Sequence, residues 1–300
     1  DPYTTSDGCT FLGDIVPCSV NPVPIRSLSN VTALAAGMDY TCARLTDTTV
    51  KCWGANSFGQ LGRDPSLGTT PASIPAPVTG LSKVATIAIG RAHSCAGLTN
   101  GTVKCWGNNE TGQLGNTSPS PRFIPVEVTG LSNVAALAAG FDYTCALLTD
   151  STVKCWGVNS PTPMDVGLTD VDTIAVGGQD CAIFKNGTVS CSLGGGLFSP
   201  TRELVELTSQ AITLAAGYDH ACAHLTDGTV KCWGGFNDTG ELGNGTFTNP
   251  ATPFTPVGVV NLASVVSIAA GGHHNCATLF SSTAWCWGEN SSGQLGNGTT

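Results

Sequence analysis

Residues 222–232 read CAHLTDGTVKC, two cysteines ten positions apart around a Thr-Asp-Gly turn. A three-residue hairpin loop of this kind is a type I turn closed by a left-handed residue, and Gly228 enters that conformation at little steric cost. Counting outward from the loop places Cys222 directly opposite Cys232. Opposed Cα atoms on antiparallel strands lie about 4.5–5.5 Å apart, within the range that a disulfide accepts. The stretch therefore predicts a β-hairpin closed by a disulfide.

The same pairing recurs seven times and uses all 14 cysteines. The pairs are Cys9/Cys18, Cys42/Cys52, Cys95/Cys105, Cys145/Cys155, Cys181/Cys191, Cys222/Cys232 and Cys276/Cys286. The first pair is one residue shorter, and its Gly13-Asp14 suits a two-residue type II′ turn that again brings the cysteines opposite each other. Closing a loop of this size contributes about 2–3 kcal/mol through chain entropy.

Paired thiols could instead bind zinc, but zinc-binding cysteines usually lie two to four residues apart. The chain contains no CxxC motif. We therefore predict seven hairpin disulfides, a repeat architecture and an oxidising compartment.

The composition favours one all-β domain with many tight turns, because 41% of the 300 residues are hydrophobic and 38 are glycine. The net charge is −9, and the 12 basic residues are scattered, which argues against a nucleic-acid surface. No apolar run reaches the 18 or more residues of a membrane span. The first residue is Asp1 rather than methionine, so we expect a mature form whose secretory signal has been removed.

Nine Asn-x-Ser/Thr sequons are candidate N-glycosylation sites. They are Asn30, Asn100, Asn109, Asn116, Asn186, Asn237, Asn244, Asn290 and Asn297. The alternative is that the repeat places Asn-Gly-Thr in its turns for backbone reasons. We expect several of these sites to carry N-glycans.

Six of the hairpins belong to a longer repeat. An apolar strand ending in glycine precedes each of them, at residues 34–37, 87–90, 137–140, 174–177, 214–217 and 268–271. Lys-Cys-Trp-Gly closes four hairpins, and Gly-Gln-Leu-Gly or a near copy follows at residues 59–62, 112–115, 240–243 and 293–296. The pattern predicts three or four strands per repeat and no helix.

In residues 31–296 these motifs closely resemble the regulator-of-chromosome-condensation repeat family. The resemblance implies a seven-bladed β-propeller, a ring that leaves few exposed strand edges. The best known member is a nuclear exchange factor for a small GTPase, and other relatives inhibit enzymes or bind diverse proteins. This chain differs from the nuclear member by two cysteines per blade, an acidic balance and the lack of a basic tail. The resemblance therefore implies the fold, and function must be argued from a site.

The predicted fold is all-β, a seven-bladed β-propeller with one disulfide hairpin per blade. Residues 1–300 form a single domain, in which 1–30 are a degenerate N-terminal repeat and closure segment and 31–300 are six regular repeats. To close the ring, the segment after Cys286 should lead into another apolar strand before the Cys9 hairpin. Neither residues 287–300 nor residues 1–8 contain such a strand. Three explanations stay open: a continuation past Thr300, a poorly formed blade, or a strand donated by a neighbouring molecule, which would assemble copies head to tail.

Two residues before each first cysteine stand Tyr40, His93, Tyr143, Gln179, His220 and His274, preceded in four repeats by Asp39, Asp142, Asp219 and His273. These residues could surround the propeller axis and bind a cation. We favour the alternative that each hydrogen-bonds within its own blade, because the repeat position explains the recurrence. We therefore predict no metal and no cofactor. The tryptophans after the second cysteines could stack on sugars, but their fixed position favours packing between blades.

The chain has no nucleophile motif, no His-Glu-x-x-His and no phosphate-binding loop, and the glycine run at 194–196 is typical of a turn. We therefore predict a non-enzymatic, secreted or surface glycoprotein that acts in protein–protein recognition or self-assembly. Its partner is a protein or another copy, bound through a rim of unequal loops or an open propeller edge. The alternatives are a structural subunit of an extracellular filament or coat assembled by strand donation, and a proteinaceous enzyme inhibitor.

Overall fold

The structure, a computed structural model, describes residues 7–11, 14–18, 25, 27–63, 66, 68–69, 71–158, 160–192, 202–250, 252–291, 294–295 and 297. For residues 7–11 and 14–18 it describes the backbone only. The glycine run 194–196 and Thr300 lie outside the described residues. Within the described ranges the chain forms 25 β-strands. In this part of the chain, no helix has the length and apolar character needed to cross a bilayer.

The strands form one two-stranded sheet and six further sheets, each of which we call a blade. The two-stranded sheet contains β1 (Asp7–Phe11) and β2 (Asp14–Cys18). Blade 1 contains β3 (Val31–Ala36), β4 (Tyr40–Leu45), β5 (Val50–Gly54) and β6 (Ala72–Pro77). Blade 2 contains β7 (Val84–Ile89), β8 (His93–Leu98), β9 (Val103–Gly107) and β10 (Arg122–Glu127). Blade 3 contains β11 (Val134–Ala139), β12 (Tyr143–Leu148), β13 (Val153–Gly157) and β14 (Ser160–Asp165).

The later blades follow the same strand order. Blade 4 contains β15 (Val171–Ala175), β16 (Cys181–Phe184), β17 (Val189–Ser192) and β18 (Arg202–Val205). Blade 5 contains β19 (Ala211–Ala216), β20 (His220–Leu225), β21 (Val230–Gly234) and β22 (Val257–Gly258). Blade 6 contains β23 (Val265–Ala270), β24 (His274–Leu279) and β25 (Ala284–Gly288), so its described sheet has three strands.

The prediction of seven blades is wrong, because the described part of the chain forms six. The N-terminal hairpin was counted as a blade, but β1 and β2 pair only with each other. The physical reason lies in the sequence, since no apolar inner strand precedes Cys9. The register of this hairpin also differs from the prediction: Cys9 pairs with Val16, because pairing starts at Phe11 and Asp14 rather than at Leu12 and Ile15. The side chains of Cys9 and Cys18 lie outside the described part.

In the regular blades the hairpins have the register that the spacing predicts. Cys222 pairs with Cys232 in blade 5, and the turn residue Gly228 has a φ of 79°. The structure contains the disulfides Cys42–Cys52, Cys95–Cys105, Cys145–Cys155, Cys222–Cys232 and Cys276–Cys286, each with a Cα separation of 4.1 Å. Cys181 and Cys191 of blade 4 are also disulfide-bonded. Each of the six blades therefore carries one bridged hairpin.

The hydrophobic core lies between consecutive blades rather than within one. The disulfide of blade 1 packs in a cluster with Val84, Ala96 and Trp106 of blade 2. The disulfide of blade 2 packs in the same way against Ala146 and Trp156 of blade 3. Both tryptophans are fully buried. The prediction that these tryptophans pack between blades is therefore confirmed.

The chain divides into two compact units. One comprises Ile25–Asn186 and Ser192–Arg202 and contains the first three blades. The other comprises Asp1–Pro24, Gly187–Cys191 and Glu203–Thr300 and contains β1, β2 and the last two blades. The strands of blade 4 are distributed over both sets of residues.

Candidate interaction surface

The residue two positions before the first cysteine joins its blade to the next one. The Tyr40 hydroxyl donates to the carbonyl oxygen of His93 at 2.5 Å and accepts from Ser94 Oγ at 3.1 Å. The next residue in the series, His93, lies 2.8 Å through Nε2 from Thr144 Oγ1. The partners belong to the following blade in both cases. The expectation that each such residue bonds within its own blade holds for the backbone, because the Gly37 amide donates to the Tyr40 carbonyl and the Gly90 amide to the His93 carbonyl, each at 2.9 Å. It does not hold for the side chains of Tyr40 and His93, which bond to the following blade.

Two later members of the series also bond to the next blade in sequence. The Tyr143 hydroxyl donates to Asp180 Oδ1 in blade 4, and His220 Nε2 lies 2.9 Å from Asn275 Oδ1 in blade 6. The remaining members are Gln179, which is buried, and His274, which is half-buried. Among the described residues, no group of three or more His, Cys, Asp or Glu side chains could hold a metal ion.

We call the residues two positions before the first cysteine of each blade the clamp residues; they are Tyr40, His93, Tyr143, Gln179, His220 and His274. Burial keeps the titratable clamp residues uncharged. Desolvation lowers the pKa of His93 from 6.5 to about 3, because burial penalises the imidazolium. Burial likewise raises the pKa of Tyr40 above its ordinary value. The pKa of Tyr143 is raised first by burial and then by the negative charge of Asp180. At neutral pH these groups are therefore neutral parts of the packing between blades.

The residues beside the clamps are spread over different surroundings. Asp39 is exposed, and Asp219 is half-buried. Asp142 Oδ1 accepts from Gln113 Nε2 at 3.4 Å, in the blade before its own. His273 Nδ1 lies 3.7 Å from Glu241 Oε1.

The Gly-Gln-Leu-Gly segment is also a junction between blades. In blade 1, Asn56 Oδ1 accepts from the Leu61 amide at 3.1 Å and so folds the loop over the fully buried Leu61 side chain. Trp106 Nε1 of blade 2 then donates to the Gln60 carbonyl at 2.8 Å. The same contact recurs twice: Trp156 Nε1 donates to the Gln113 carbonyl at 3.0 Å, and Trp287 Nε1 donates to the Glu241 carbonyl at 2.9 Å.

These loops lie at the blade end that also carries the turn between the first two strands. The Ala55 amide donates to the Asp39 carbonyl, and the Asn108 amide donates to the Ala92 carbonyl, each at 2.9 Å. We define the loop face as residues 37–39, 55–63, 66, 68–69, 71, 90–92, 108–121 and 140–142 of blades 1 to 3. The connection in blade 3 is only residues 158–159, so the rim is uneven. The predicted rim of unequal loops therefore lies at this end.

The loop face presents exposed apolar side chains together with charged ones of both signs, including Asp39 and Glu110. Met38 is 56% exposed and Phe58 is 37% exposed. Arg91 is exposed, and its amide donates to the carbonyl of the half-buried Phe141 at 3.3 Å. Methionine, phenylalanine and arginine are enriched at protein–protein interfaces. Sequence reasoning found the rim but not these residues, because their identity differs from repeat to repeat.

A cleft of about 460 Å³ lies beside this set, between the blade 2 loop and β14. Its lining includes Asn109, Thr111, Ser118, Ser160 and Pro161. The cleft widens the loop face on the side of blade 3.

The other unit has a corresponding long loop at residues 235–256 of blade 5. Phe236 and Phe247 in this loop are 53% and 73% exposed. Glu241, which replaces the glutamine of the other copies, is buried beside His273, whose ring lies 5.1 Å from that of Tyr218. The sequence showed Glu241 as a departure from the Gly-Gln-Leu-Gly repeat, but it did not show that Glu241 lies beside His273.

The first and last blades expose surfaces that the blades between them bury. Leu34 of blade 1 is 59% exposed, and Trp53 is half-buried, whereas Trp106 and Trp156 are fully buried. At the hairpin tip of blade 6, which is exposed in every blade, Phe280 is 86% exposed where most other hairpins carry threonine. The blade 6 disulfide is also partly exposed, whereas the disulfides of blades 1 to 5 are buried.

The sequons differ in exposure. Asn30, Asn100, Asn186 and Asn297 are exposed, Asn244 and Asn290 are half-buried, and Asn109, Asn116 and Asn237 are buried. The candidate N-glycosylation sites therefore differ in how accessible the asparagine is in the folded protein.

Comparison with known proteins gives a consistent picture. A family model described as "Regulator of chromosome condensation (RCC1) repeat" matches residues 49–96, 100–147 and 227–278, and a second model of that description matches 31–60, 84–113, 211–241 and 265–294. The Arabidopsis thaliana "Ultraviolet-B receptor UVR8" is 25% identical over 93% of this chain and 70% of its own length. The Drosophila melanogaster "Regulator of chromosome condensation" is 29% identical over 43% of this chain and 26% of its own length. Yeast RCC1 (Prp20), solved bound to Kap60, has a TM-score of 0.80 at 23% identity and covers 90% of this chain and 72% of its own.

Proposed function

This chain belongs to the RCC1 repeat family, and we propose that it is a non-catalytic recognition module that binds a protein partner through the loop face. The observation that carries the proposal is the exposure of Met38, Phe58 and Arg91 on one end of consecutive blades. Such side chains supply most of the binding energy at protein interfaces when a partner desolvates them. The yeast relative with this fold was solved bound to another protein, Kap60, which supports protein binding as the use of the fold.

The proposed compartment is extracellular or at the cell surface, with covalent N-glycans. The six bridged blades indicate an oxidising environment, since cytosolic thiols are kept reduced. Secretion is the ordinary route by which a chain of this size acquires one disulfide in every blade. A secretory route also exposes the sequons to the glycosylation machinery.

The proposed absence of catalysis is supported by the state of the recurrent histidines and tyrosines. His93 and Tyr40 are buried, uncharged at neutral pH and committed to the contacts between blades. A general acid or base has to reach its substrate with a pKa near the working pH. The clamp residues meet neither condition.

The test is recovery of a partner from the medium or surface in which the protein occurs, using the intact disulfide-bonded chain as bait. Arg91→Glu on the loop face is expected to lower recovery of that partner tenfold or more, as loss of an interface anchor does. Lys185→Glu is the matched control, because Lys185 is an exposed cation at a hairpin tip, the opposite end of its blade. Equal recovery with both variants, or recovery of no stoichiometric partner, would refute the proposal.

A second candidate function is self-assembly, favoured by the exposed surfaces of blades 1 and 6. Leu34 and Trp53 occupy positions that other blades pack against a preceding blade. An open blade edge is also a template for another strand. Light scattering across a concentration series tests this candidate, and Leu34→Asp should abolish any association. Monomers at every concentration would reject it.

A further inference from the structure

The sequons differ in what the asparagine amide does. At Asn109, Oδ1 accepts from the Leu114 amide at 2.9 Å, while Nδ2 donates to the Ser118 carbonyl at 2.6 Å. At Asn237, which has no exposed surface, Oδ1 accepts from the Leu242 amide at 2.9 Å and Nδ2 donates to the Thr246 carbonyl at 2.9 Å. Both sides of these amides are used inside a loop.

These hydrogen bonds of the asparagine amide belong to the repeat, whether or not the asparagine is part of a sequon. Asn56 stands at the same position in blade 1, where the sequence Asn-Ser-Phe is not a sequon. Its Oδ1 accepts from the Leu61 amide, and its Nδ2 donates to the Gly68 carbonyl at 2.9 Å. Asn116 is likewise buried, and its Nδ2 donates to the Glu127 carbonyl at 2.8 Å. A sugar on the nitrogen of these residues would replace one of its two N–H groups and would have to fit inside the loop, so it would compete with the hydrogen bonds that the nitrogen donates to backbone carbonyls.

Asn100 at the tip of the blade 2 hairpin is different. It is exposed, and its Oδ1 accepts from the Thr102 amide at 3.1 Å and the Thr102 hydroxyl at 2.9 Å. Its Nδ2 donates no hydrogen bond to any described residue. The turn therefore uses only the oxygen of this side chain.

Three other hairpins show that the nitrogen is dispensable for the turn. Aspartate stands at the position of Asn100 in blades 1, 3 and 5, as Asp47, Asp150 and Asp227. Each accepts from the amide and the hydroxyl of the threonine two residues on, as Asn100 does. The turn therefore requires an oxygen acceptor at this position, which aspartate also supplies. It does not require the amide nitrogen that Asn100 adds.

We propose that Asn100 is an N-glycosylation site and that Asn109, Asn116 and Asn237 are unmodified in the folded protein. The donor is a lipid-linked oligosaccharide pyrophosphate, met in the secretory compartment of the proposed function, on which this inference rests. Nδ2 forms a bond to the anomeric carbon, the bond from that carbon to the pyrophosphate oxygen breaks, and the lipid pyrophosphate leaves with the electron pair. The displaced amide proton passes to a base of the transferase.

The location leaves the loop face free. Asn100 follows β8, whereas the turn 90–92 of the loop face precedes it, so the two lie at opposite ends of the same strand. A glycan at the hairpin tip therefore points away from the end that we propose to bind a partner.

The experiment directs the full chain into the secretory pathway of a glycosylating eukaryotic cell and maps the secreted, folded fraction by mass spectrometry. Enzymatic release of N-glycans in ¹⁸O-water marks each formerly occupied asparagine as labelled aspartate. Label is expected at Asn100 and not at Asn109, Asn116 or Asn237. An unlabelled Asn100, or label at any of the other three in folded protein, overturns the proposal.

Two variants separate loss of a glycan from loss of the fold. Asn100→Asp should remove one glycan from the intact mass, and in protein made without N-glycan transfer it should leave the melting temperature equal to that of the unglycosylated wild type, because aspartate serves three other hairpins. Asn237→Asp should leave the glycan count unchanged and reduce the secreted yield, since a carboxylate would face the Thr246 and Thr248 carbonyls. Label at Asn100 in this host, with no glycan on protein from its native source, would contradict the proposed secretion and not the site.

Discussion

The buried histidine of the blade 2 clamp makes stability depend on pH in a way that can be worked out. The pKa of His93 is about 3 in the folded protein, against 6.5 for an exposed imidazole. Above pH 6.5 the ring is neutral in both states, and its contribution to stability is complete. As the pH falls below 6.5 the unfolded chain binds a proton that the folded protein refuses, so the free energy of unfolding decreases until the pH reaches about 3.

The size of the effect follows from the difference between the two pKa values. Each pH unit below 6.5 costs about 1.4 kcal/mol, so pH 5 removes about 2 kcal/mol relative to pH 7. The suitable variant is His93→Gln, because Gln179 occupies the equivalent buried position in blade 4. We expect chemical denaturation with the disulfides intact to show a decrease between pH 7 and pH 5 that is about 2 kcal/mol smaller in the variant.

The comparison between pH values isolates the imidazole. Any loss of the bond to Thr144 lowers the stability of the variant at both pH values and cancels in the difference. Carboxylates such as Asp47 titrate equally in both proteins. An identical pH dependence in the two proteins, or an NMR titration of the folded protein with a His93 pKa near 6.5, would refute the reasoning.

Three further predictions concern the packing of blades. Trp106→Phe removes the indole donor to the Gln60 carbonyl and should lower the free energy of unfolding by about 1 kcal/mol in urea denaturation, and no change would contradict the role of this bond. Gly107→Ala places a Cβ 2.6 Å from the Ala92 carbonyl at a φ of 104°, so it should destabilise by more than Gly80→Ala, whose Cβ meets no atom within 4 Å, and equal melting temperatures would contradict the close approach. Reduction of the six blade disulfides should lower the melting temperature, because each closes a hairpin loop and restricts the unfolded chain, and an unchanged calorimetric transition would argue against this stabilisation.

The sequence predicted local structure well, because the signals for it are local. Turn length and cysteine spacing together set the register of a hairpin, and Cys222 pairs with Cys232 as the count from Gly228 requires. The same counting failed at Cys9, where pairing begins at Phe11 and Asp14. A cysteine pair identifies a hairpin but not a blade, and the missing apolar inner strand was the better guide to the number of blades.

The sequence predicted that the tryptophans pack between blades, but it did not show which residues form hydrogen bonds from one blade to the next. The Tyr40 hydroxyl and the His93 ring bond to residues about 50 positions away, and which atom faces them depends on how successive sheets stack. The recurrence of these residues showed that they matter without showing their partners. The loop face was predicted as a rim from unequal loop lengths, whereas the exposed Met38 and Arg91 became visible only once the strands had placed them.

The described disulfides each close a hairpin inside one blade, and neighbouring blades are held by hydrogen bonds and buried tryptophans. Under mechanical tension, such as shear in a flowing medium, the contacts between blades would therefore yield while residues within a bridge, such as 42–52, could not be extended. A detached blade would keep its hairpin register and could dock again without searching for it. The placement of the sulfur bridges thus suits a molecule that must recover its shape after being pulled.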